Sequence, residues 1–284
     1  MNKQTVHVNG IDMVYEECGM GNEKTIVLLH GFCGSSHYWH NVCPLLSDKY
    51  HLIMPQLRGH GESSAPEGVY TMETMAEDIS ELLDKLRIDK AVMLGHSLGG
   101  YITLAFAEKY ADRLSGFGLI HSTAFPDTEE TIRRRLQDID AIREAGIAAY
   151  VTGLVPKLFA DSKQDKLRDE MERAIAIGKL MKPEGAIRTL EGMILRPDRS
   201  SILSNAPYPI LLIAGEEDEV IPPEATFSLS GNDAAESTYR YPHISENTFE
   251  GVAHMSVFEV PDQLSRVIAA YVKTVHEKEV KRVN

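Results

Sequence analysis

Residues Gly95-His96-Ser97-Leu98-Gly99 set one hydroxyl between two glycines in the spacing G-x-S-x-G. In that spacing a serine occupies a tight strand-to-helix turn, which lifts Oγ clear of the backbone and aims the free N–H groups of the next helix at the reacting atom. A serine hydroxyl is a poor nucleophile without a base. Among the eleven histidines, His254 stands out by place. The stretch "FEGVAHMSVFEVP" puts it in a loop after the last strand, just behind Gly251 and ahead of a helix starting near Pro261. The acid that orients such a base belongs in the loop after the preceding strand. There "LLIAGEEDEVIPP" supplies Glu216, Glu217, Asp218 and Glu219, of which Asp218 is selected and Glu217 is the alternative.

A third stretch, "LLHGFCGSSHYW", closes a strand at His30-Gly31 and puts Phe32 where its backbone N–H can face the serine. With the N–H of Leu98 it would form an oxyanion hole, each donor worth about 10²–10³ in rate. The Phe32 side chain would then line the acyl pocket. His30 reads as a turn-stabilising hydrogen bonder, His60 as structural, and Cys33 as a packing residue with no base placed for it.

The elements that must position these residues alternate between strand and helix. "TVHVNG" and "DMVYEE", joined around Asn9-Gly10, read as an antiparallel hairpin. "TIVLLH", "YHLIMP", "KAVMLG" and "GFGLIH" are continuous apolar runs suited to buried parallel strands. Met72 to Leu86 places Met75, Ala76, Ile79, Leu82 and Leu83 on one helical face. From about Thr123 to Ser204 strand-like runs disappear and amphipathic helices take over. Asp127 and Glu130 form a candidate capping box there, and Leu167, Met171, Ile175 and Gly178 share one face. "PILLIAG" restores the sheet pattern, followed by a strand near Ile244–Phe249 and a helix from about Pro261 to Val275, with a frayed tail. This organisation predicts an α/β core of residues 1–122 and 205–284 with an all-helical cap, 123–204, laid over the strand ends.

Composition narrows the partners. Lys+Arg 29 against Asp+Glu 42 leaves a net charge of −13, which disfavours nucleic acid and anionic membrane. A small-molecule substrate is the expectation; oligomeric state is left open. Cys18, Cys33 and Cys43 show no C-x-x-C spacing and read as reduced thiols, neither a disulfide framework nor a zinc site. No secretory h-region opens the chain and no run approaches the ~18 apolar residues of a membrane helix. A cytoplasmic setting follows as an expectation.

The order His30-Gly31, Gly59-His60-Gly61, Gly95-His96-Ser97-Leu98-Gly99-Gly100, Gly215–Pro222, Gly251–His254 resembles the α/β-hydrolase superfamily over nearly the whole chain. The resemblance implies an eight-stranded, mostly parallel sheet, its second strand antiparallel, flanked by helices and carrying a helical cap. It implies Ser97 as nucleophile, Asp218 as acid and His254 as base, with no metal or organic cofactor. Gln56 departs from the aspartate common before "LRGHG", so Arg58 loses a possible charge partner. Serine at 97 separates the chain from branches that carry aspartate there, such as haloalkane dehalogenases and epoxide hydrolases.

Hydrolysis of a small to medium, largely apolar carboxylic ester through an acyl-enzyme intermediate is the activity expected, with lactone hydrolysis a close variant. The alternative is carbon–carbon hydrolysis of a dienone or diketone ring-cleavage product, whose carboxylate would need cap residues such as Arg133, Arg134, Arg135, Arg143, Arg188 or Arg196. A slow-turnover small-molecule receptor is the reading from another class. Met171, Met181, Met193 and Leu195, with Phe32 and Met255, suggest an apolar pocket; Phe32, Met193 and Met255 are its leading candidates.

Overall fold

Asn9 and Gly10 both take positive φ, 42° and 75°, and reverse the chain between β1 (Asn2–Val8) and β2 (Ile11–Cys18). A two-residue turn of this hand matches the twist of the strands it joins. The computed structural model describes residues 1–229 and 243–283, the side chains of 278–283 apart. Six further strands follow: β3 (Thr25–Leu29), β4 (His51–Pro55), β5 (Ala91–His96), β6 (Leu114–Ile120), β7 (Ile210–Gly215) and β8 (Ile244–Phe249). They form one eight-stranded sheet in the order β1-β2-β4-β3-β5-β6-β7-β8. β2 is antiparallel to β1 and β4, and every other pair is parallel. Every residue of β5 and β7 is buried, as their unbroken apolar runs require. Because β3 lies between β4 and β5, the winding direction reverses there. A crevice opens beyond the strand ends at such a point, and the loops that leave β3 and β5 there carry Gly31 and Ser97.

The sheet is flanked by α1 (Cys43–Leu46), α2 (Met72–Lys85) and α3 (Leu98–Lys109) before β6. Between β6 and β7 the described chain is helical: α4 (Glu129–Leu154, broken at Gly146), α5 (Arg168–Gly178), α6 (Pro183–Ile194) and α7 (Ser200–Asn205). α8 (Pro223–Phe227), α9 (Ser256–Glu259) and α10 (Pro261–Val283) complete the fold. Among the described residues no helix is long and apolar enough to cross a membrane.

Four details differ from the sequence reading. Thr128, not Asp127, caps α4, its hydroxyl accepting from the Thr131 N–H at 3.2 Å, because two arginines claim the Asp127 carboxylate. α10 runs as helix to Val283 where a frayed tail was expected. Cys18 and Cys43 are joined as a disulfide, the sheet having carried the end of β2 to the start of α1; this removes the ground for a reducing setting, and only Cys33 is free, and buried. Arg58 keeps a charge partner after all, because Asp78 on α2 reaches it from outside the local motif. Arg58 Nε donates to Asp78 at 2.8 Å and its Nη2 to the Asn9 carbonyl at 3.1 Å, while Asn9 Nδ2 donates to Asp78 at 2.7 Å.

That ion pair, 7% and 1% exposed, knits the hairpin tip, the Arg58 loop and α2. Asp78→Ala strands a buried guanidinium and is expected to lower unfolding stability by about 3–5 kcal/mol in denaturant titration. A loss under about 1 kcal/mol would show that water or another group replaces the partner.

Candidate active site

Ser97 sits at φ 51°, ψ −114°, a conformation that costs a non-glycine residue about 1–3 kcal/mol and must be imposed by its surroundings. Its N–H donates to the Ile120 carbonyl at 2.9 Å, and its carbonyl accepts from Gly100 N–H and Ser122 Oγ at 2.9 and 2.8 Å. The flanking glycines are steric requirements. A Cβ on Gly95 would lie 2.2 Å from the Gly99 carbonyl carbon, and one on Gly99 would lie 2.5 Å from the Leu29 oxygen. A Cβ on Gly31 would come within 3.3 Å of the Ser97 Cβ, so the loop after β3 runs against the serine turn and delivers Phe32 beside it. Leu98 opens α3, and its N–H is among those a helix start leaves free.

Asp218 and His254 meet. The His254 Nδ1–H donates to Asp218 Oδ2 at 2.8 Å; a carboxylate only accepts, so the tautomer is fixed and Nε2 is the ring nitrogen left for the cavity. The other carboxylate oxygen, Oδ1, accepts from the Val220 and Ile221 amides, each at 2.9 Å. Burial alone would raise this carboxyl, but His254 and His121 hold it well below the usual carboxylate range. Glu217, the alternative, instead lies near Ser162 on the exposed side of the loop.

His121 is the site residue that sequence reasoning missed. It follows β6 at φ 50°, donates from Nδ1 to Asp218 Oδ2 at 3.1 Å, and accepts at Nε2 from Ser256 Oγ at 2.8 Å. Nothing local marked it, since "GFGLIH" reads as a strand end, and only the β6–β7 pairing brings it to Asp218. Two further contacts were equally invisible. The His254 N–H donates to the Leu158 carbonyl at 3.0 Å, and the buried Glu259 carboxylate accepts from the Ala253, Met255 and Ala160 amides. The inserted helical segment therefore grips the loop that carries His254.

A cavity of about 710 Å³ opens above these residues, lined by Ser97, His254, Phe32, Met193 and Met255 among others. Met181 is buried in the hydrophobic core and Met171 packs against that core, neither lining the cavity, and Leu195 is 63% exposed. Of the six arginines, Arg134, Arg135 and Arg196 reach the cavity wall. Arg135 and Arg196 share the buried Asp127 carboxylate, and Arg196 also lies 4.0 Å over the Tyr101 ring. Burial would raise the Asp127 carboxyl, yet the two guanidiniums hold it below its ordinary range. Arg133 and Arg143 pair with acids on the exposed side of α4, and Arg188 binds the Ala65 and Pro66 carbonyls. A second depression, about 680 Å³, lies at Lys24, Lys49 and Lys273, before the starts of β3 and β4 and away from Ser97. His30 stabilises its turn: Nδ1–H donates to the Gly31 carbonyl at 2.8 Å and Nε2 accepts from the Leu57 N–H at 3.0 Å. Burial pushes the Cys33 thiol up, away from nucleophilic use.

Residues 24–261 match the family of the α/β hydrolase fold. The chain belongs to the α/β-hydrolases. A Bacillus subtilis (strain 168) protein provisionally named 2-succinyl-6-hydroxy-2,4-cyclohexadiene-1-carboxylate synthase is 31% identical over 222 residues, 74% of this chain and 80% of its own. 3-Oxoadipate enol-lactonase 1 of Acinetobacter baylyi (strain ATCC 33305 / BD413 / ADP1) is 26% identical over 262 residues, 90% of this chain and 91% of its own. Among solved structures, a thermophilic esterase from Thermogutta terrifontis superposes with a TM-score of 0.88 at 28% identity, covering 97% of this chain and all of its own.

Four histidines of this hydrolase, His30, His60, His96 and His121, are at most 1% exposed. Burial lowers the pKa of each, His60 to about 4, so they fold neutral. Below the ordinary value near 6.5 the unfolded chain takes up protons that the folded chain refuses, so stability falls as pH falls. Unfolding free energy is expected to drop between pH 7.5 and 5.5, by at most about 1.4 kcal/mol for each histidine that stays neutral throughout. A flat profile over that window would contradict neutral burial.

Proposed function

We propose that this α/β-hydrolase is a serine hydrolase that cleaves a small to medium carboxylic ester or lactone through an acyl-enzyme. The observation that carries the reading is that Ser97, on its strained turn, and His254, its Nδ1 pinned by Asp218, line one cavity. His254 Nε2 takes the Ser97 proton as Oγ attacks the acyl carbon. The N–H groups of Phe32 and Leu98 hold the oxyanion, and the leaving alkoxide receives the proton from His254. Water, deprotonated by the same nitrogen, then releases the acid and restores Ser97. Asp218 fixes the imidazole tautomer and balances the charge that His254 gains. Residues 123–204 act as a cap domain on the core of 1–122 and 205–284, with Phe32, Met193 and Met255 shaping the acyl pocket. Neither a metal nor an organic cofactor enters these steps.

A second reading has its own support. Arg135 and Arg196 share the Asp127 carboxylate at the cavity wall, and Arg134 lies on the same wall beside Asp138, so guanidinium groups are within reach of a ligand carboxylate. That favours a substrate bearing a carboxylate, as an enol-lactone or a ring-cleavage diketone would, and a relative named as an enol-lactonase agrees with it.

Ser97→Ala is expected to lower kcat on p-nitrophenyl esters at least about 10⁴-fold while circular dichroism and unfolding midpoint stay unchanged. Retained turnover would overturn the assignment, and a burst followed by near-zero turnover in the native chain would favour a receptor. Comparing esters of graded acyl length with a carboxylated enol-lactone and a vinylogous diketone separates the two substrate classes.

A further inference from the structure

We propose that Glu16, His37 and His40 form a binding site for one divalent transition ion of the zinc class, away from the serine cavity. One ligand atom from each residue lies within 4.8 Å of the other two. Glu16, on β2, already accepts from His40 Nε2 at 2.7 Å, with side-chain exposures of 9% and 26%. The His37 and His40 rings stand 4.6 Å apart between centroids, tilted by 60°.

The backbone explains why they converge. Ser36–Trp39 is a 3-10 turn, its start fixed by Ser35 Oγ accepting from the His37 N–H at 3.2 Å. Residues three apart eclipse in a 3-10 turn, so His37 and His40 project from one side. Tyr38 and Trp39, between them, point into the core at 2% and 0% exposure and anchor the turn. The His40 ring is tied to Glu16, whereas the His37 ring has no hydrogen-bond partner among the described residues.

The donor set narrows the ion to the divalent transition series. Ligands around a tetrahedral zinc at about 2.0–2.1 Å lie about 3.3 Å from one another, within reach of side-chain adjustment here. Two imidazoles and one carboxylate suit zinc, cobalt or nickel. They offer too few oxygens for calcium or magnesium and no thiolate for copper(I). A fourth position is left for water.

An ion bound here would staple β2 to the turn that leaves the Gly31–Ser35 loop, the loop that meets Ser97. The site therefore has a stabilising role, and it stands whether or not Ser97 is the nucleophile. The other triad of such ligands, His121, Asp218 and His254, is fully buried and already joined by hydrogen bonds.

The test uses the full chain, untagged and stripped of metal, titrated with zinc chloride by calorimetry and with cobalt(II) by visible absorption. One ion per chain, tetrahedral cobalt bands and a rise in Tm on zinc addition are expected. His37→Ala and His40→Ala should each weaken binding more than about tenfold, since even loss of an outer-shell partner costs 10–100-fold. His37→Gln is the milder variant if truncation perturbs folding, read by Tm without metal. His254→Ala should leave the affinity unchanged. No stoichiometric binding, affinity unaltered in both His37 and His40 variants, or affinity lost in His254→Ala would each overturn the proposal.

Discussion

A buried carboxylate organises this molecule. Asp218, 3% exposed, accepts hydrogen bonds from two imidazoles and two amides that come from three strand ends. Stripping water from such an ion costs several kcal/mol, and only a complete set of donors offsets that. The set is complete because parallel pairing brings the ends of β6, β7 and β8 level: Ile120 lies opposite Ile213, and Gly215 opposite Phe249. His121, Asp218 and His254 leave those ends. The carboxylate is thus the knot of three loops and at the same time fixes which nitrogen of His254 faces the cavity.

On the other side of the crevice the constraint is steric. The serine turn keeps its positive φ because Gly95, Gly99 and Gly31 let strand, helix and neighbouring loop approach closer than any Cβ permits. The two halves are joined by the inserted helices. Leu158 accepts from the His254 backbone, and Glu259 binds amides from both the His254 loop and Ala160. Those bonds tie the placement of the imidazole to the position of the helical segment.

Much of this was legible in local pattern. Continuous apolar runs marked the buried strands, Asn9-Gly10 marked the hairpin, and glycine spacing marked the Ser97 turn. Asp218 and His254 were readable because each follows a recognisable strand. What stayed hidden depends on contacts distant in sequence. Asp78 reaches Arg58 from α2, and Asp127 serves two arginines instead of the helix start beside it. His121 looks like the polar end of a strand until β7 lies beside it. Cys18 and Cys43 are 25 residues apart with no motif between them. A pattern rule sees neighbours along the chain, whereas these partners are chosen by the sheet.

In the proposed chemistry Ser97 alone carries the nucleophilic oxygen. Incubation with an alkyl fluorophosphonate, followed by intact-mass and peptide mass spectrometry, reads out which oxygen reacts. One adduct per chain is expected, located on Ser97 and formed far more slowly when His254 is replaced by alanine. An unlabelled chain, or an adduct on any other residue, would rule Ser97 out as the nucleophile.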